Sequence, residues 1–191
     1  NHHLRGAESD RDEAFVRDWC AGRDIPFVSG SGDVRGLAER EGLSLEEAAR
    51  TLRYAFLRRE AEKLGQHIRI YTAHHADDNA ETILFNLIRG TGVAGLTGMA
   101  YQQNGIYRPL LDVTRAELAA YAADHHIPHV EDATNGDPDA AARNFLRLEV
   151  MPRLRQINPQ AVAHINDAGR RLRVVDRSLE EAVSYTHLTL P

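Results

Sequence analysis

The chain has 191 residues, of which 42% are hydrophobic and 27% charged, as is ordinary for a globular protein with its own core. The formal net charge of −5 excludes a uniformly basic surface but not a local basic patch. The single cysteine, Cys20, excludes an internal disulfide bond and favours a reducing, cytoplasmic compartment. No apolar run approaches the roughly 18 residues of a membrane span, and we see no signal-peptide pattern in the first residues.

The first part of the chain predicts a helix, a short strand and a loop. Apolar residues recur at helical spacing over residues 7–23, with Ser9 or Asp10 as a suitable N-cap and Gly22 as the end. Residues 25–28 have the composition of a short strand. The Ser-Gly-Ser-Gly stretch that follows lacks the Gly-Lys-Ser/Thr ending of a Walker motif, so we interpret it as an ordinary loop.

Two helices and a strand are predicted next. A short helix covers residues 34–41, and a long one begins at Ser44, where Ser44 and Glu47 have the spacing of a capping box. The long helix ends at Gly65, and residues 68–71 predict a short buried strand. This alternation predicts an α/β fold with an open parallel sheet and flanking helices.

A dense polar cluster follows this strand, where another helix is predicted to begin. Its members are His74, His75, Asp77, Asp78 and Glu81. In open α/β sheets ligands bind at the carboxyl ends of strands, and the spacing of Asp78 and Glu81 places them on one helix face. A helix capped by Asp77 or Asp78 would explain one carboxylate but not the two histidines. We therefore interpret the cluster as a site for a divalent metal ion or a phosphate group.

The helix after the cluster ends in the turn Arg89-Gly90-Thr91-Gly92. Glycines let a backbone approach a ligand closely, and successive N–H groups can hold an anion. A helix C-cap followed by a turn explains the same pattern equally well. Residues 106–111 then predict an extended segment.

The rest of the chain is predicted to be mainly helical. A capping box at Thr114 and Glu117 opens one helix, a second starts near residue 140 and breaks near Pro152, and a third covers residues 159–183. Residues 184–191 lose the helical pattern, and we interpret them as a non-native tail.

Arginines are frequent in this helical part. Arg143 and Arg147 are four residues apart and therefore project from one helix face. Two guanidinium groups at this spacing suit phosphates or RNA, although a solvated helix face explains such charges as well.

Taken together, these residues resemble those of the tRNA(Ile)-lysidine synthetases, a family of the PP-loop ATP pyrophosphatase superfamily. The resemblance covers about residues 1–175, and its ordered set of motifs is highly specific. The matching segments are residues 1–6, 47–54, 73–82, 89–96, 108–118, 131–135 and 143–147.

The resemblance implies a tRNA-modifying ligase. Such enzymes use ATP to adenylate C2 of the wobble cytidine in tRNA(Ile) with a CAU anticodon, and the amine of L-lysine then displaces AMP to form lysidine. The implied cofactors are ATP and Mg²⁺, which neutralises the departing pyrophosphate. A homodimer is compatible with the resemblance.

The resemblance also implies roles for the polar cluster. His75, Asp77 and Asp78 would line the site where adenylated cytidine meets lysine. Asp78, with Asp77 or Glu81, would hold the lysine ammonium group or the Mg²⁺ ion. His74 or His75 would contact the phosphate or the cytosine ring.

Further roles fall on residues outside the cluster. By resemblance, Arg50 and the loop of Arg89, Gly90, Thr91 and Gly92 would contact the phosphate or ribose of ATP. The residues that would face the anticodon stem-loop are Arg143, Asn144 and Arg147.

The resemblance implies a division of the chain. Residues 1–112 would form an incomplete PP-loop core and residues 113–183 a helical extension that faces tRNA. The pyrophosphate loop of the family, S-G-G-x-D-S, would precede residue 1. We therefore expect the chain by itself to be inactive in adenylation.

Three other readings compete, one of them a non-catalytic nucleic-acid-binding fragment. A metal-dependent phosphohydrolase would use His74, His75, Asp77 and Asp78 as its metal site. Another PP-loop tRNA-modifying enzyme, such as a thiolase, would commonly carry paired catalytic cysteines, and Cys20 by itself argues against that reading.

Overall fold

The computed structural model describes residues 1–2, 4, 6–65, 67–130 and 142–188, with side chains as far as residue 179. The chain forms two compact units, Asn1–Ile70 and Tyr71–Pro191. The boundary between them therefore precedes residue 112, where the sequence suggested a functional division. That functional division stays a prediction.

The described part of the first unit is helical, and its helices begin and end largely where local signals predict. The helices are α1 (Ala7–Ala21), α2 (Val34–Glu41) and α3 (Leu45–Leu64). The predicted capping box at α3 is present, because Ser44 Oγ accepts a hydrogen bond from the Glu47 N–H and the Glu47 carboxylate accepts one from the Ser44 N–H. Val34, Ala38 and Ala48 form the buried core between α2 and α3.

Two predictions for this unit are wrong. Helix α1 is capped by Gly6, with φ of 55°, rather than by Ser9 or Asp10, so the helix begins before either side chain can cap it. Residues 25–28 form no strand: in the described chain they have no strand partner, and Ile25 and Val28 remain exposed. A strand needs a neighbour for its backbone N–H and C=O groups, and composition does not supply one.

The described sheet begins at the boundary between the units, with Ile70, and the remaining helices belong to the second unit. These elements are, in chain order, β1 (Ile70–Tyr71), α4 (Ala76–Ile88), α5 (Val93–Leu96), β2 (Gln102–Gln103), β3 (Ile106–Tyr107), α6 (Arg115–Asp124), α7 (Ala142–Phe145), a π-helical segment (Leu146–Val150), α8 (Met151–Ile157) and α9 (Ala161–Leu188).

The sheet confirms the α/β class but is small in the described residues. Its strand order is β1–β3–β2, and β2 pairs with β3 in antiparallel orientation. The intervening turn residues Asn104 and Gly105 have φ of 52° and 77°. Asn-Gly is a strong hairpin signal, so this hairpin was predictable although we did not predict it. The predicted strands at residues 68–71 and 106–111 are each shortened to two residues.

The helices after residue 142 differ from prediction in two places. The chain stays helical through Pro152, because this proline lies at the start of α8, where no backbone N–H is needed. The π-helical segment immediately precedes it. Helix α9 continues to Leu188, past the predicted end at residue 183. Part of the proposed non-native tail is therefore helical.

Helix α4 lies at the centre of the second unit. Ala76 and Ala80, one turn apart, pack against Met151 of α8 and Val162 of α9 in a buried apolar cluster. The small alanine side chains allow these helices to approach α4 closely. Helix α4 thus packs against helices that come far later in the chain, and its residues fall in the same unit as theirs. No helix of the described residues has both the length and the apolar composition of a membrane span.

Candidate functional site

The polar cluster predicted from the sequence lies at the N-cap and in the first two turns of α4. His75 is the N-cap, in place of the Asp77 or Asp78 considered from the sequence. The Asp78 N–H donates to His75 Nδ1 at 3.4 Å, and the His75 N–H donates to Asp78 Oδ2 at 3.0 Å. This is a capping box in which an imidazole replaces the usual hydroxyl group.

The Asp78 N–H favours an unprotonated Nδ1 on His75, which also lies 3.5 Å from Asp78 Oδ2. A neutral imidazole that accepts a hydrogen bond at Nδ1 has its proton on Nε2. His75 therefore has an N–H donor for a ligand at the amino end of α4, where the helix dipole also favours negative charge. The neighbouring His74 has its Nδ1 2.9 Å from the hydroxyl of Thr72.

Asp77 is buried, and both of its carboxylate oxygens are used within the second unit. Oδ2 accepts a hydrogen bond from the backbone N–H of Arg115 at 2.8 Å, and Oδ1 accepts one from the guanidinium of Arg155. Arg115 is the first residue of α6, so Asp77 satisfies an N–H group that the helix itself leaves unpaired. Asp77 thus links α4 to α6 and α8.

Asp78 and Glu81 both contact Arg147. Arg147 Nε and Nη2 donate to the two oxygens of buried Glu81 at 3.0 and 2.9 Å, and Nη2 lies 3.4 Å from Asp78 Oδ1. Hydrogen bonding to Glu81 is the main cause that raises the pKa of Arg147 above its ordinary value. The contacts confirm that Asp78 and Glu81 share one helix face.

The two arginines predicted to share a face do so, and that face lies against α4. The Arg143 guanidinium lies 5.9 Å from the ring centroid of Phe85, one turn along α4 from the Glu81 that Arg147 binds. Asn144 lies between them and is half-buried. Contact of these residues with tRNA stays a prediction.

The glycine-containing turn joins α4 to α5. Arg89 is the C-cap of α4, and its guanidinium lies 5.3 Å from the same Phe85 ring that Arg143 approaches. Gly90 has φ of 74°, and Gly92 is the N-cap of α5. Thr91 lies between these glycines and is half-buried. The structure therefore brings Arg89 close to the ring beside the polar turn of α4.

Arg50 belongs to the first unit. It lies in α3, with its guanidinium 5.0 Å from the ring centroid of Tyr54. The motif residues 131–135 lie outside the described residues. Asn79, which is buried in the first turn of α4, and its buried partner Asn166 had no predicted role. The one sequence feature that could have indicated a role is the position of Asn79 between Asp78 and Glu81.

The carboxylates of the α4 turn do not fit a magnesium ion held by protein side chains. No group of three or more histidine, cysteine, aspartate or glutamate residues in the described chain is arranged to hold a metal. The oxygens of Asp77, Asp78 and Glu81 accept hydrogen bonds from N–H donors. The assignment of Mg²⁺ to Asp78 stays a prediction, because Asp78 and Glu81, which share a helix face, both contact Arg147 here.

Comparison with known proteins defines the class to which this α/β fold belongs. Residues 1–154 match the profile of the PP-loop domain family, and the chain belongs to that family. A solved structure with the same fold is the U34-tRNA thiolase NcsA from Methanococcus maripaludis, with its [4Fe-4S] cluster. It has a TM-score of 0.67 and 17% sequence identity, and the match covers 88% of this chain and 58% of that chain. At this identity the likeness concerns the fold alone.

The curated relatives are more similar to this chain in sequence than the thiolase is, and they indicate a narrower family. The chain is 47% identical over 161 residues to the tRNA(Ile)-lysidine synthase of Parabacteroides distasonis, covering 84% of this chain and 36% of that protein. It is 41% identical over 191 residues to that of Porphyromonas gingivalis W83, covering 100% of this chain and 42% of that protein. These matches confirm the resemblance seen in the motifs. The chain spans less than half the length of both relatives.

Proposed function

We propose that this chain is the PP-loop part of a ligase that forms lysidine in tRNA(Ile). One observation carries the proposal: His75, Asp78 and Glu81 lie together at the start of α4, in a chain 47% identical to a tRNA(Ile)-lysidine synthase. We propose ATP, L-lysine and tRNA(Ile) with a CAU anticodon as its substrates, and the cytoplasm as its compartment.

The reaction proceeds in two displacements. The C2 oxygen of the wobble cytidine attacks the α-phosphorus of ATP, and pyrophosphate leaves. The amine of lysine then attacks C2, and the C2–oxygen bond breaks with departure of AMP. Negative charge develops on phosphate oxygens in the first displacement, and the His75 Nε2–H at the amino end of α4 is suited to stabilise it.

The carboxylates of the same turn suit the cationic substrate. Both oxygens of Glu81 accept hydrogen bonds from Arg147, whereas Asp78 Oδ1 has only a longer contact of 3.4 Å to that guanidinium and Oδ2 accepts from the His75 N–H. Asp78 is therefore the carboxylate more available to a lysine ammonium group. We propose that Arg50 and the loop from Arg89 to Gly92 contact ATP, and that Arg143, Asn144 and Arg147 contact the anticodon stem-loop.

A chimaeric enzyme tests this proposal. The segment of the Porphyromonas gingivalis W83 enzyme that matches this chain is replaced by this chain, because that match covers 100% of the residues of this chain. We expect radiolabelled lysine to enter a tRNA(Ile) transcript only when ATP is present and the wobble base is cytidine. A folded, soluble chimaera that adds no lysine would contradict the proposal.

A matched pair of histidine variants then tests the site within the chimaera. H75A removes the N-cap ring of α4, whereas H164A removes an exposed ring of α9 that contacts Asn158, the C-cap of α8. We expect H75A to lower the rate of lysidine formation about 100-fold and H164A to leave it within about twofold. Equal rates in the two variants would remove His75 from the mechanism.

A further inference from the structure

Two buried asparagines connect the first turn of α4 to α9. Asn79 and Asn166 are 7% and 4% exposed. Asn79 Nδ2 donates to Asn166 Oδ1 at 3.0 Å, and Asn166 Nδ2 donates to the carbonyl oxygen of Ala76 at 2.9 Å. At the other end, the Met99 N–H donates to Asn79 Oδ1 at 2.5 Å. Buried amides with good partners hold a single arrangement, because any other arrangement leaves polar groups unpaired.

Asn166 belongs to a face of α9 that lies against α4 and the segment after α5. Gly169 is on this face, and a Cβ atom there would lie only 2.7 Å from Ile83 Cδ1 and 3.2 Å from the carbonyl oxygen of Leu96. One turn further, Arg173 Nη2 donates to the carbonyl oxygens of Thr97 and Met99 at 2.7 Å each. Helix α9 therefore binds Ala76 through Asn166 and Met99 through Arg173, and these are the two backbone partners of the asparagine pair.

The contact with Ala76 is the one that reaches the candidate site. Ala76 is the first residue of α4, and it directly follows the N-cap His75. A side-chain hydrogen bond to its carbonyl oxygen limits rotation of the whole first turn. An apolar side chain of similar volume at residue 166 would fill the space, but it has no N–H group to fix the orientation of the Ala76 carbonyl group.

We infer that Asn166 is a positioning residue: through Ala76 and Asn79 it fixes the orientation in which the first turn of α4 presents His75 and Asp78. The inference deepens the proposed function and rests on it only for the chemistry assigned to that turn. Asn166 itself contacts none of the residues assigned to substrate binding.

Two variants at residue 166 distinguish the hydrogen bond to Asn79 from the hydrogen bond to Ala76. N166D keeps the oxygen that accepts from Asn79 but loses the donor to Ala76, whereas N166L loses both contacts. The matched control is I106A, a buried position in β3 outside the asparagine pair. All three are expected to lower thermal stability, so stability alone does not decide the question.

The deciding measurement is local. In the full chain of 191 residues, the ring nitrogen shifts of His75 and the amide shift of Asp78 report the hydrogen bond between them in the native state. We expect N166D and N166L to move both signals and I106A to leave them in place. In the chimaera, we expect N166D to lower kcat about tenfold with KM for ATP within about twofold, because misplacement of a site costs mainly transition-state binding.

Each outcome has a separate meaning. If the His75 and Asp78 signals of N166D match those of the parent chain, or if I106A moves them equally, Asn166 is a packing residue and the inference is wrong. If the parent chimaera forms no lysidine, the proposed function fails, and the NMR comparison still decides whether Asn166 orients the turn.

Discussion

Arg147 binds Glu81 through two parallel hydrogen bonds across 66 residues of sequence. The pair joins the π-helical segment after α7 to the first turns of α4. Its geometry is the fork of a guanidinium on a carboxylate, which a lysine cannot reproduce. The pair is therefore expected to contribute to stability as well as to the arrangement of the site.

Removal of Arg147 leaves a buried carboxylate without its partner. The Glu81 side chain is 5% exposed and that of Arg147 is 25% exposed. We expect R147A to lower the free energy of unfolding in urea by about 2–3 kcal/mol, somewhat less than for a fully buried pair. The control is R153A, whose ion pair with Glu149 has side chains 75% and 42% exposed. Its cost should stay below about 1 kcal/mol, and a similar cost for both variants would contradict the prediction.

Asp77 is expected to act on α6 as well as on α4. D77N keeps one carbonyl oxygen but cannot satisfy both the Arg115 N–H and the Arg155 guanidinium as a carboxylate does. We expect a loss of about 1–3 kcal/mol in unfolding free energy and faster hydrogen exchange of the Arg115 amide. D167N, at an exposed ion pair with Arg170, is the control. An unchanged exchange rate at Arg115 in D77N would show that this contact does not hold α6.

Gly98 and Gly90 form a matched pair for a test of close packing. Both have positive φ, 69° and 74°, so alanine is strained at either position. A Cβ atom at Gly98 would lie 2.5 Å from Asn79 Oδ1, whereas one at Gly90 would meet open space. We expect G98A to be less stable than G90A by about 1–3 kcal/mol in thermal or urea unfolding. Equal stabilities would mean that the segment at residue 98 moves away from Asn79 without cost.

The capping box of α6 gives a pH-dependent prediction. Hydrogen bonds from the side chain and backbone of Thr114 lower the pKa of Glu117 below its ordinary value. The folded state thus favours the carboxylate, so the capping box adds stability above the ordinary glutamate pKa of about 4.3 and loses it as pH falls through the lower folded value.

An NMR titration of the Glu117 carboxyl carbon checks this prediction. T114A should raise the pKa of Glu117 towards its ordinary value, because the hydroxyl donor is lost. T97A, whose hydroxyl bonds the carbonyl oxygen of Ala94, should leave the pKa of Glu117 in place. A Glu117 pKa that is the same in T114A and the parent chain would refute the assigned cause.

Local sequence alone determined several elements of this protein. Helix α3 begins after Ser44 and α6 after Thr114, as predicted, because a capping box needs only hydrogen bonds between residues three apart. The polar cluster at α4 and the ordered motifs of the PP-loop family were likewise readable without a structure.

The tertiary structure decided what the polar residues contact. Asp77 meets Arg155 across 78 residues and Asn79 meets Asn166 across 87, and no spacing rule connects positions so far apart. The lengths of β1 and β3 were likewise set by pairing with neighbouring strands, which the local sequence does not specify. Capping and helical periodicity act within one or two turns, whereas the packing of α8 and α9 against α4 chooses the partner of each buried polar group.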